Sequence, residues 1–153
     1  EPHLGLTLIE STRNGGVPSD TWKQIIETNL FGVYYVTKAV LPFLKAKSEG
    51  DIVNVASTAG LKGGANMSAY GASKAAVISL SQSLMAELRK FNIRVFTLTP
   101  STIASDMSIN TGLTDGNSEK VLQPEDFAEW VRDILKMNRR AMIANGSIFS
   151  TNP

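Results

Sequence analysis

The chain contains no cysteine and a single histidine, His3, in 153 residues. These absences together remove disulfides, thiolate nucleophiles, Cys-type zinc sites and any histidine cluster, so no metal site is expected. No apolar run reaches the roughly eighteen residues that a membrane-crossing helix needs, so no membrane partner is expected either. Charge of one sign is also missing: fifteen Lys and Arg stand against fourteen Asp and Glu, a net charge of +1. Arg139 and Arg140 form the one adjacent arginine pair, and without a basic face the chain has no footprint for nucleic acid. The chain lacks a starting methionine and a basic-then-apolar leader. The first suggests a cut N-terminus and the second a cytoplasmic protein. Its opening residues, Glu1 to Val17, read as loop.

What remains is a composition suited to one globular domain, with 42% apolar and 19% charged residues and no internal repeat. Asp20 precedes apolar positions at Trp22, Ile25, Ile26, Leu30, Val33, Tyr34 and Val36, a spacing that predicts a long amphipathic helix to about Ala46. Pro42 should bend or weaken its last third, and Gly50 should close it. Asp51 to Ser57 is a β-branched apolar run ending in small polar residues, which reads as a buried parallel strand. A glycine-rich loop, Thr58 to Met67, leads into a helical pattern from Ser68 to Phe91. Ile93 to Leu98 predicts a second buried strand, ended by Pro100. The polar segment Ser101 to Gln123 is longer than an ordinary connection and reads as a functional flap. Pro124, Glu125 and Asp126 open a helix to about Met137, and Ala141 to Ala144 reads as a last short strand.

Helices and strands in alternation predict an α/β fold, a parallel sheet with right-handed crossovers, here three strands and three main helices. Three strands make a thin sheet with an open edge. The first strand is therefore expected to pair with others preceding Glu1, the chain being part of a larger fold.

The chemistry concentrates on a few side chains. Tyr70 and Lys74 are four apart at a helix start, which puts both heads on one face. An ammonium beside a phenol favours the phenolate, so this pairing makes tyrosine useful in acid–base catalysis near neutral pH. Ser57 ends a parallel strand, where open α/β sheets bind ligands, and its hydroxyl can donate to a substrate oxygen.

Ser57 followed thirteen positions later by Tyr70-Gly71-Ala72-Ser73-Lys74 resembles the serine and Tyr-x-x-x-Lys signature of the short-chain dehydrogenase/reductase family. Asn29-Leu30-Phe31-Gly32 is similar to that family's Asn-x-x-Gly element, and Thr99 to Ser105 resembles its Pro-Gly segment. Ser101 stands where the family has glycine, and Ser105 where it has threonine. The resemblance implies the C-terminal part of a single NAD(P)-binding Rossmann-like domain across residues 1–153, a doubly wound parallel sheet whose dinucleotide-binding N-terminal half lies before Glu1. Asn14-Gly15-Gly16 does not substitute for its phosphate-binding turn, since it follows no strand and opens no helix.

By that resemblance Tyr70 is the acid/base, Ser57 steadies the substrate oxygen, Lys74 assists Tyr70 and holds the ribose, and Asn29 feeds a proton relay to the lysine through a water. Tyr70, Lys74, Pro100, Ile103 and Ser105 would contact the cofactor, NADP in preference to NAD, with Ile103 reaching the nicotinamide through its backbone. The reaction implied interconverts a small-molecule carbonyl and alcohol, and the tail is most similar to members described as 3-oxoacyl-acyl-carrier-protein reductases of fatty acid biosynthesis. Homodimers or homotetramers are implied, packed through the helices near Asn29 and after Tyr70. Two other functions fit parts of the pattern. One is a nucleotide-sugar epimerase or dehydratase, which shares Tyr-x-x-x-Lys. The other is a non-catalytic cofactor sensor, against which the intact Ser57, Tyr70 and Lys74 set counts.

Overall fold

The computed structural model describes residues 19–65 and 67–151. The expected opening loop, with His3 and Asn14-Gly15-Gly16, lies outside them. The long helix begins as α1 (Ser19–Ile26), widens into a π-helical turn (Glu27–Phe31), and continues as α2 (Gly32–Lys47). Pro42 does not stop it, since α2 runs on for another turn. Its end differs from expectation. Ser48 closes the helix in the left-handed region, at φ 50°, and Gly50 already begins β1 (Gly50–Val55). Glycine serves packing there, because a Cβ on Gly50 would stand 2.8 Å from Leu44 Cδ2.

A short 3₁₀ turn (Thr58–Gly60) follows, then α3 (Ser68–Leu88) and β2 (Ile93–Pro100). The expected flap is locally folded around α4 (Asp106–Asn110), and a parallel bridge between Ile103 and Leu122 joins its two ends. Helix α5 (Pro124–Lys136) starts with proline at its first position, and the Gln123 amide donates to Asp126 Oδ2 at 2.8 Å.

The last strand, β3, is Asn145–Ile148 and not the expected Ala141–Ala144. Tertiary contacts overrule local apolarity here. The Arg94 guanidinium binds the Ala141 carbonyl at 3.3 Å, and only the far end of that stretch meets β2, where the Ala144 carbonyl accepts from the Thr97 amide at 3.1 Å. Gly146 must also lie under α5, since a Cβ there would come within 2.6 Å of Trp130 Cζ2.

The sheet is parallel throughout, in the order β1-β2-β3, with Ile52 beside Val95 and Thr97 beside Asn145. Every residue of β2 is buried. Successive side chains on a strand alternate faces, so Val95 joins Ile52, Leu84 and Leu88 in one core, while Phe96 and Leu98 join Ile134 in another. Leu41 and Leu44 of α2 close the first core, and Phe127, Trp130 and Val131 of α5 close the second. Helices thus cover both faces, the expected α/β architecture. Among the described residues β1 pairs with β2 alone, no helix is long and apolar enough to cross a membrane, and no metal-binding cluster of His, Asp and Glu occurs.

Candidate active site

β1 and β2 run in register and release their chains at the same edge of the sheet, where the first turn of α3 also arrives. Two residues past β1, Ser57 caps the 3₁₀ turn, its Oγ accepting from the Ala59 amide at 3.2 Å. That turn lies directly on α3. A Cβ at Gly60 would be 2.7 Å from the Lys74 carbonyl carbon and 2.8 Å from the Ala75 nitrogen, and one at Gly71 would be 3.1 Å from the Ala59 oxygen. Two glycines therefore let backbone meet backbone, and this contact brings the serine loop beside the tyrosine and lysine.

Ser57 and Tyr70 line one cavity of about 840 Å³, together with Ile103 and Ser105. Lys74 stands on the same side of α3 as Tyr70, its Nζ 5.7 Å from the phenol ring centroid, and donates to the Val55 carbonyl at 3.1 Å. Burial pushes the lysine ammonium below its usual pKa.

Asn29 occupies the π-helical turn, so the long helix departs from regular α geometry at that residue. Its Nδ2 donates to Ser73 Oγ at 3.1 Å, and Ser73 Oγ donates in turn to the Tyr70 carbonyl at 2.7 Å. The amide is thus tied to the first turn of α3 through a fully buried serine.

Pro100 is buried at the end of β2, beside Ile148, and is not among the cavity-lining residues. The Ser105 hydroxyl is occupied within the flap, accepting from the Ser108 amide at 3.2 Å as the cap of α4. The Ile103 carbonyl accepts from Ser108 Oγ at 2.7 Å. Of the seven residues singled out from the sequence, Ser57, Tyr70, Ile103 and Ser105 line the cavity, while Asn29, Lys74 and Pro100 do not.

Four positions were missed. Gly60 and Gly71 set the approach of loop to helix, Ser73 links Asn29 to α3, and Ser108 holds both Ile103 and Ser105. Ser73 lies inside the Tyr70–Lys74 stretch, and Ser105-x-x-Ser108 has the spacing of a helix cap; both signals were available.

The donor set fits the nicotinamide–ribose end of a dinucleotide. Hydroxyls of Ser57, Tyr70, Ser101 and Thr102 line one cavity, and a half-buried ammonium stands against the Tyr70 ring. These are donors for ribose and carbonyl oxygens.

The sequence pattern of the family described as short chain dehydrogenase matches residues 8–116. An uncharacterized oxidoreductase of Staphylococcus saprophyticus is 38% identical over 125 residues, covering 82% of this chain and 51% of its own length. A 3-oxoacyl-[acyl-carrier-protein] reductase of Synechocystis is 31% identical over 157 aligned positions, covering 91% of this chain and 61% of that protein. Among solved structures, the closed form of serine dehydrogenase complexed with NADP+ superposes with a TM-score of 0.82 at 29% identity, over 94% of this chain and 61% of that one. The chain spans about half to three fifths of the length of these proteins.

Proposed function

The chain belongs to the short-chain dehydrogenase family, and from that premise we propose that it carries the catalytic half of an NAD(P)-dependent oxidoreductase interconverting a carbonyl and an alcohol. The observation that carries the proposal is the convergence of Ser57 and Tyr70 on one cavity, with the Lys74 ammonium 5.7 Å from the phenol ring centroid.

When bound, a nicotinamide dinucleotide supplies the hydride that reduces the carbonyl carbon. In the direction of reduction Tyr70 gives its phenolic proton to the substrate oxygen. Ser57 donates a hydrogen bond to that same oxygen as negative charge grows on it. The Lys74 ammonium favours the charge left on the phenol and offers donors to the ribose hydroxyls. Asn29 acts through Ser73, holding the first turn of α3 and with it the tyrosine. Ile103 and Ser105 line the same cavity, in a flap held by Ser108, and are the residues that would contact the nicotinamide. NADP is the preferred form in this reading, and the likeness to the Synechocystis reductase supports a 3-oxoacyl thioester as one substrate. The apolar residues that α2 leaves exposed, Tyr35, Val36 and Phe43 among them, support a homodimer or homotetramer.

The test is NADPH- and NADH-dependent reduction of a carbonyl panel by the protein and its Tyr70→Phe variant. Loss of the general acid should lower kcat by about 10²-fold or more. Unchanged turnover in the variant would remove Tyr70 from the chemistry.

A further inference from the structure

Among the described residues the cavity lining carries one charged side chain, Lys62, and no Asp, Glu or Arg. Lys62 is exposed, so its charge is solvated and screened and makes a poor partner for a buried anion. Beside the hydroxyl residues, the large apolar side chains of the lining are Leu61 and Met67 of the loop after β1, Met107 and Leu113 of the flap, Phe127 of α5 and Phe149 beyond β3.

Several of these apolar side chains are left open to solvent. Leu61 is 57% exposed, Met107 49%, Leu113 47% and Phe149 59%. Large apolar groups from separate segments converging while half exposed form a surface that a ligand would cover, at about 25 cal/mol for each Å² removed from water. A carboxylate or phosphate placed against the same wall would lose its hydration without a buried cation to replace it.

We propose that the part of the substrate held in the cavity is an uncharged ketone or secondary alcohol with a bulky apolar body, and that the cavity selects against a body of similar size that itself bears a carboxylate or phosphate. This rests on the oxidoreductase reading of Ser57 and Tyr70. The reaction end lies at the two hydroxyls, and the apolar body rests on Leu113, Met107 and Phe149.

A matched pair of ketones tests this: 4-isopropylcyclohexanone and 4-oxocyclohexanecarboxylate, which share ring and carbonyl and differ in one apolar or anionic substituent. The neutral ketone should be reduced with a kcat/KM about 100-fold higher. Leu113→Arg, which sets a cation into the wall, should shift that ratio at least tenfold toward the carboxylate. A ratio near one, or a preference for the carboxylate, overturns the proposal while leaving the oxidoreductase reading intact. Should neither ketone be reduced, it is the hydride-transfer reading that fails. Saturation-transfer NMR of the same pair then decides the cavity's preference: binding of the neutral ketone alone upholds it, and equal or reversed binding overturns it.

Discussion

Lys74 works against the fold that holds it. Burial lowers its pKa in the folded chain, whereas the unfolded side chain titrates near about 10.4. Between those two values the unfolded state binds more protons, so stability contributed by this residue rises with pH across that window. Below it the ammonium is charged in both states and the burial penalty stands in full. Lys74→Met should therefore flatten the rise in urea midpoint between pH 7 and pH 10 relative to the parent chain; parallel curves would contradict the shift. Gly60 is the second residue whose role has a measurable cost. The added Cβ of Gly60→Ala would meet α3 backbone at 2.7 Å, where no flexible side chain can give way, so the Ser57 loop must move. We expect a loss of about 1–3 kcal/mol in stability and at least about tenfold in kcat/KM, read by thermal melting and kinetics. Neither consequence is legible from glycine content alone. The loop contains Gly60, Gly63 and Gly64, and Gly60 alone lies against a helix; a Cβ at Gly63 meets nothing within 4 Å.

Between elements, one ion cluster ties the N-terminal ends of β1 and β2 to the C-terminal end of α5. Arg94, almost wholly buried, binds Asp51 through two bonds of 2.7 and 2.9 Å and donates to the carbonyls of Leu135, Met137 and Ala141. A cation at those carbonyls also complements the helix dipole. Arg139 adds a bond of 2.7 Å to Asp51 and reaches the Gly50 and Asn92 carbonyls. Burial raises the Asp51 pKa, but hydrogen bonds and charge from Arg94 and Arg139 together outweigh it and hold the carboxyl below its usual value. A depressed carboxyl contributes stability above its unfolded pKa of about 3.9, lost as pH falls through the folded value. Asp51→Asn leaves Arg94 buried without its counter-charge and should cost about 3 kcal/mol at pH 7. The gap to the parent should shrink as pH falls through the folded pKa; a constant gap in denaturant titrations would contradict the linkage. This cluster was invisible in sequence, where Asp51 opened a strand and Arg139 was half of an adjacent pair, because its members are 43 and 88 residues apart.

For the molecule as a whole, the described residues leave β1 paired on one side and expose Tyr35, Val36 and Phe43 on α2, the last at 71%. Surface of this kind associates, so sedimentation velocity between about 5 and 100 μM should show a species larger than one chain, and a concentration-independent monomer would refute it. The alternation of helices and strands, the buried β2, and the nearness of Lys74 to Tyr70 were all legible without coordinates. Each is a local pattern: apolar periodicity reports the burial of one element, and a spacing of four on a helix places two heads together whatever else surrounds them. Other features depended on the fold. The position of β3, the glycine contacts that carry Ser57 to α3, the link from Asn29 through Ser73, and the apolar wall of the cavity are all contacts between segments distant along the chain. No local pattern encodes such contacts, because whether Gly146 may lie under Trp130, or Gly60 against Lys74, is decided only when packed elements compete for the same space.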